Sequence, residues 1–233
     1  GWSRISDQFL EEVIKYDNKF FFIDGEDDNI IENKYSRLSL YFKRELVQKQ
    51  TKILPINFAI PKSKIINEID KNPKNLLAPL IPGKIETYVY SDENSYYEMY
   101  QKSIFALTYK KAGWDSLRHY EILMNGCIPL FLDIKNCPPD TLTSLPKDKL
   151  IEILNEFNEI LKFYNPFKIY KKKHLTFQRI FSLFSFKSEK KSLEIFLKDN
   201  EDIFDIKNNL LDFTKKKLTT EVLAKYTLEK FKG

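Results

Sequence analysis

Ile104-Phe105-Ala106-Leu107-Thr108, the loop Tyr109-Lys110-Lys111-Ala112-Gly113-Trp114, the run Asp115-Ser116-Leu117-Arg118-His119-Tyr120-Glu121-Ile122-Leu123-Met124-Asn125, and Gly126-Cys127-Ile128-Pro129-Leu130-Phe131-Leu132 form the stretch that decides the fold. The first five residues are a short apolar run bounded by a glycine-bearing loop, which predicts a buried strand over 104–108. The spacing predicts a helix over 115–125, closed by Gly126, and a second buried strand over 128–132. Strand, helix and strand at this distance argue a parallel pair joined by a right-handed crossover.

Upstream the same alternation continues. Leu76 to Ile81 is apolar and closes with Pro82-Gly83, and Glu86 to Tyr90 alternates as a strand. Ser95-Tyr96-Tyr97-Glu98 has capping-box spacing for a helix start. Nearer the N-terminus, Asp7 to Tyr16 reads as a helix and Phe20-Phe21-Phe22-Ile23, ending in Asp24-Gly25, as a buried strand and its turn. Leu40-Tyr41-Phe42 and Ile53 to Ile60 are further strand segments, the latter bounded by Pro55 and Pro61. Downstream, Leu150, Ile153, Leu154, Phe157, Ile160, Leu161 and Tyr164 recur at helical spacing after Pro146, read as a first helical position. Residues 203–213 and 219–231 read the same way, and no glycine occurs from 127 to 232. The expectation is an α/β protein with a Rossmann-like parallel sheet and a helical C-terminal part. Its division falls into a partial N-terminal unit and linker over 1–75 and a second domain over 76–233.

The chain has 233 residues, 42% of them hydrophobic and 30% charged, which excludes a disordered segment and permits a sizeable core. Its net charge of +5 is spread through Lys-rich segments and suits an anionic ligand or an acidic surface better than a nucleic-acid track. No nucleic-acid partner is expected. Cys127 and Cys137 have no His or Cys cluster around them, so neither a metal site nor a disulfide framework is read there. No signal peptide or apolar run of about 20 residues is found, and a reduced, cytoplasmic setting is expected. Phe-rich 175–186 lies between Lys168–Lys173 and Lys187–Lys191, so peripheral membrane contact through 168–191 is one reading and packing within the protein the other. His174 is read as lying on a solvated face. The chain begins with Gly1 and is read as a piece of a longer protein.

In an open parallel sheet, ligands bind at the carboxyl ends of strands beside helix N-termini. Lys110, Lys111, Gly113, Asp115, Ser116 and Arg118 all fall at such a point, between the strand ending at Thr108 and the helix near Asp115. Free backbone amides and the positive helix end there stabilise a diphosphate, and Arg118 adds a bidentate fork. Glu121, three residues after Arg118, shares its helical face and is placed to accept hydrogen bonds from ribose hydroxyls. Histidine ordinarily titrates near neutrality, so His119 is read either as a base or phosphate ligand, or as a packed core histidine.

Gly113-Trp114-Asp115-Ser116-Leu117-Arg118-His119-Tyr120-Glu121, followed after a short interval by Gly126-Cys127-Ile128-Pro129, resembles the donor-site helix of GT-B glycosyltransferases, above all the exostosin-like branch. Tyr41-Phe42-Lys43-Arg44-Glu45-Leu46, Pro55-Ile56-Asn57-Phe58 and Cys137-Pro138-Pro139 are similar to the same group. The resemblance covers roughly residues 20 to 150. It implies a nucleoside-diphosphate sugar donor, with Arg118 on the phosphates, Glu121 on the ribose and no metal, and a glycan or other hydroxyl acceptor. The position eight before Glu121 is Gly113, where the retaining enzymes carry a second Glu, so the stereochemistry is open. His119 and Asp24 are the candidate bases.

Two other readings stand beside this one. A domain of the same fold could bind nucleotide-sugars or another protein without turnover. Alternatively, Asp24 and Asp27 in the acidic run Asp24-Gly25-Glu26-Asp27-Asp28 are oxygen ligands of the type by which a GT-A-like transferase holds a divalent metal. Against that stands a solvated turn.

Overall fold

The computed structural model describes residues 7–15, 20–158, 160 and 186–232. Among the described residues six strands make two three-stranded sheets, and every pairing within both is parallel. The first sheet has the order β1 (Phe21–Asp24), β2 (Leu40–Lys43), β3 (Ile53–Pro55). The second has the order β4 (Asn75–Leu77), β5 (Ser103–Thr108), β6 (Ile128–Phe131). The expected parallel α/β architecture with a helical C-terminal part is therefore present.

Helix α1 (Asp7–Ile14) precedes β1, and the short α2 (Asn33–Ser36) joins β1 to β2. In the second unit α3 (Glu93–Gln101) joins β4 to β5, and α4 (Leu117–Met124) joins β5 to β6. The sheet's two faces are covered separately. Ala106 packs with Met99 and Tyr100 of α3 and Ile122 of α4. Phe105 meets the rings of Phe157, beyond α5 (Lys147–Glu156), and of Phe196 on α6 (Phe186–Asp199). All six residues of β5 are buried, which explains an uninterrupted apolar run instead of an alternating one.

Helix α4 ends in a Schellman turn. Cys127 N–H donates to Ile122 O and Gly126 N–H to Leu123 O, with Gly126 at φ +63°, a conformation that side chains resist. Pro129 follows in β6, an edge strand, where a missing N–H breaks no ladder. After α7 (Ile203–Lys217) the chain returns to the first unit: Thr220 N–H donates to Ile60 O, and α8 (Thr220–Lys232) lies on the first sheet. There Tyr226 and Phe231 meet Phe42 and Phe21 edge to face, and the Tyr226 hydroxyl donates to Pro55 O.

Some expectations require correction. Glu86 to Tyr90 is no strand; Ile85–Thr87 forms a single 3₁₀ turn, because the Thr87 hydroxyl exchanges hydrogen bonds with the backbone of Ile81 and Lys84. Helix α3 begins earlier than the Ser95–Glu98 box: Asp92 is the cap, and its carboxylate accepts the Ser95 N–H at 2.9 Å. Helix α4 starts at Leu117, not Asp115, and Pro146 caps α5 from just outside it. The helix expected to reach Tyr164 is described as α5 to Glu156, with Leu161 and Tyr164 outside the described residues. His174 and most of the segment 168–191 also lie outside them. Among the described residues no helix is long and apolar enough to cross a membrane.

Candidate functional site

The carboxyl ends of the two sheets meet. Directly after β2 come Arg44 and Glu45, both buried, and they reach the loop that follows β5. The Glu45 carboxylate accepts the N–H of Trp114 at 2.8 Å and of Asp115 at 2.9 Å. Arg44 donates to Asp115 O and to Gly25 O, pairs with Asp27, and lies over the Phe58 ring at 4.6 Å. Asp115 answers from the other side, its carboxylate accepting from Phe58 N–H at 2.7 Å and from the Tyr120 hydroxyl at 2.9 Å. Burial pushes the Asp115 carboxyl up to about 6. Two of the amides expected to meet a diphosphate are thus held by the chain's own carboxylate. The amides of Leu117 and Arg118, which open α4, have no intrahelical acceptor.

His119 belongs to this joint as well. Its Nε2 lies 2.8 Å from Trp114 O, so Nε2 carries the proton and donates. Its Nδ1 then accepts from the Thr108 hydroxyl at 2.8 Å, and the ring stacks on Phe131 at 4.3 Å. Burial lowers its pKa to about 4, so it is a neutral packed histidine with both nitrogens engaged. Asp24 is buried at the end of β1, where its carboxylate accepts from Tyr41 at 2.5 Å and pairs with the fully buried Lys43 at 2.8 Å. Lys43 also pairs with Asp28, and Asp27 with Arg44, so three of the four acids in the loop are ion-paired within the chain. Among the described residues no group of three or more His, Cys, Asp or Glu is placed to hold a metal ion.

Glu121 faces elsewhere, into a pocket of about 360 Å³, and Arg118 lies against Tyr88 of its lining. Tyr88, Tyr90, Tyr96 and Tyr97 line it together with Glu121. The loop after β4 and the first turns of α3 carry the tyrosines, so the pocket opens at the carboxyl side of the second sheet. The Tyr96 hydroxyl donates to Glu121 Oε2 at 2.8 Å, and Oε1 accepts no hydrogen bond among the described residues. Arg118 Nη2 donates to the Tyr88 hydroxyl at 2.6 Å, with the guanidinium carbon 5.6 Å from that ring, while its buried Nε has no hydrogen-bond partner. Burial pushes the Tyr96 hydroxyl up to about 12, so it stays a donor at neutral pH.

The residues singled out in the sequence therefore separate into two groups. Gly113, Asp115 and His119 build the joint, whereas Glu121 lines the pocket and Arg118 bonds Tyr88 of that lining. Ser116 caps α4 through its backbone alone, Lys110 is exposed with its Nζ 5.5 Å from the Trp114 ring centre, and Lys111 is exposed. Asp24 sits apart in the first sheet. Sequence reasoning missed the roles of Arg44 and Glu45 and the tyrosine lining, although five of the 13 tyrosines crowd into residues 88–100. No family model, no curated protein and no solved structure matches this chain.

Proposed function

We propose that this chain is a glycosyltransferase of GT-B type, with Rossmann-like sheets, that takes a sugar from a nucleoside-diphosphate sugar and passes it to a hydroxyl acceptor such as a glycan. The observation that carries this reading is the pairing of Arg118 and Glu121, one helical turn apart, beside a tyrosine-lined pocket. Arg118 presents its guanidinium, held through Nη2 by the Tyr88 phenol, to phosphate oxygens, and Glu121 Oε1 is available to a ribose hydroxyl. Lys110 and Lys111, exposed in the loop that leads to α4, add positive charge, which favours the developing charge of a leaving diphosphate. The resemblance of 113–129 to the exostosin-like donor helix points the same way.

The second reading is a nucleotide-sugar-binding module without turnover. It is favoured by the burial and pairing of both base candidates, His119 and Asp24. Calorimetry with UDP, GDP and their sugars, with and without Mn²⁺, tests the donor site. Metal-free binding is expected, and Arg118→Ala should weaken it by about tenfold or more, the range for a lost charge-assisted contact. Absence of binding by every nucleotide would sink both readings, and sugar transfer to a hydroxyl acceptor would separate enzyme from binder.

A further inference from the structure

The proposed donor site leaves the nucleoside base unnamed, and the lining of the pocket bears on it. A volume of about 360 Å³ bounded by phenol rings accommodates a flat ring system, for which aromatic faces are a stacking surface. Hydrogen-bonding groups on that lining are one-sided. Besides Glu121, Asp92 and Glu93 line the pocket, and no Lys, Arg, His, Asn or Gln does. Phenols and a serine hydroxyl are its only side-chain donors, whereas the carboxylates are acceptors at neutral pH.

Both rim carboxylates are held in place by neighbours. Asp92 accepts from Ser95 N–H at 2.9 Å and from the Ser95 hydroxyl at 3.0 Å. Glu93 accepts from the Tyr97 hydroxyl at 2.9 Å and pairs with Lys64. Asp92 Oδ2 also accepts from the Ser91 hydroxyl at 3.3 Å, whereas each Glu93 oxygen has one contact and two lone pairs, so Glu93 keeps two acceptor positions side by side. A lining rich in carboxylates discriminates bases by their edges. Uracil presents one N–H between two carbonyls, which would face the carboxylates with like partial charge. Adenine and cytosine each present one amino group beside an acceptor nitrogen. Guanine presents an N–H and an amino group side by side, two parallel donors that match the two oxygens of one carboxylate. The same acids repel a diphosphate, which leaves the Arg118 side as its place and allows one orientation of the ligand.

We infer that the tyrosine-lined pocket selects guanine, so that the donor is a guanosine-diphosphate sugar, with the base read by the Asp92–Glu93 rim. The inference rests on the donor site proposed above. Titrating the whole chain with GDP, UDP, ADP and CDP by calorimetry tests it. GDP is expected to bind about tenfold or more tightly than the other three, the discrimination a bidentate base contact supplies, and Glu93→Gln or Asp92→Asn is expected to shrink that margin. UDP, ADP or CDP binding as tightly as GDP, with Arg118→Ala abolishing it, would overturn the guanine inference and leave the donor site standing. A GDP margin unchanged in both rim variants would remove the rim from base reading. No binding by any of the four would remove the donor site and this inference together.

Discussion

The carboxylate of Glu45 lies where a side chain on residue 113 would begin: a Cβ on Gly113 would sit 2.5 Å from Glu45 Oε1 and 3.1 Å from Asp27 Oδ1. Glycine at 113 therefore leaves room for the Glu45 carboxylate in the joint between the two sheets. Gly113→Ala should push the carboxylate off the Trp114 and Asp115 amides, leaving buried donors unpaired. The expected cost is about 1–3 kcal/mol of unfolding free energy, read as a lower denaturant midpoint. A double-mutant cycle with Glu45→Gln should show strong coupling, because both changes act on one contact. Additive effects would place the role of Gly113 elsewhere.

Asp24 is the sequence candidate for a base whose surroundings point most clearly to structure. Its carboxylate and the Lys43 ammonium are both buried, and removing one partner strands the other. Lys43→Met should cost about 3–5 kcal/mol in stability, as breaking a buried pair does. Asp24→Asn should likewise lower the melting temperature while leaving nucleotide binding at α4 intact in the remaining folded protein. Normal stability of Asp24→Asn with loss of sugar transfer would restore Asp24 as a base.

How far these features could be read in the sequence follows from the range of the interactions involved. The strand at 103–108, the helix after it and the strand at 128–131 were legible because burial on both faces of β5 and the turn at Gly126 are local signals. The misreading of Glu86 to Tyr90 is also local: Glu-Thr-Tyr-Val-Tyr alternates as a strand does, but Thr87 ties the segment back to Ile81. The joint was not legible, since Glu45 and Asp115 are 70 residues apart and nothing in either neighbourhood announces the partner. His119 shows the same limit. One histidine in a motif reads as chemistry until Thr108, Trp114 and Phe131 close around it.

Two buried groups of the joint titrate in overlapping windows with opposite sign. His119, lowered by burial from an ordinary 6.5 to about 4, binds fewer protons folded than unfolded, so its contribution to stability is lost as pH falls through that range. Asp115, raised by burial from 3.8 to about 6, binds more protons folded, so its contribution is lost as pH rises through that range. The two slopes oppose each other between about pH 4 and 6 in the native chain. His119→Gln should unmask the Asp115 term, giving a protein whose stability falls by on the order of 2–3 kcal/mol as pH rises from 4 to 6. Denaturant midpoints over that window check it, and a variant with the same pH dependence as the parent would contradict the balance.

Arg118 and Tyr88 make the last relationship testable at the pocket itself. The phenol accepts from Nη2 and its ring lies beneath the guanidinium, so an arriving phosphate competes with the hydroxyl but not with the ring. Tyr88→Phe keeps the platform and removes the competitor. It should leave nucleoside-diphosphate binding unchanged or tighten it by up to about tenfold, the worth of one net hydrogen bond. Tyr88→Ala removes the platform too and should weaken binding, because the long side chain then loses the contact that orders it. Weaker binding by Tyr88→Phe would mean that the hydroxyl holds the ligand together with Arg118 and does not stand in for it.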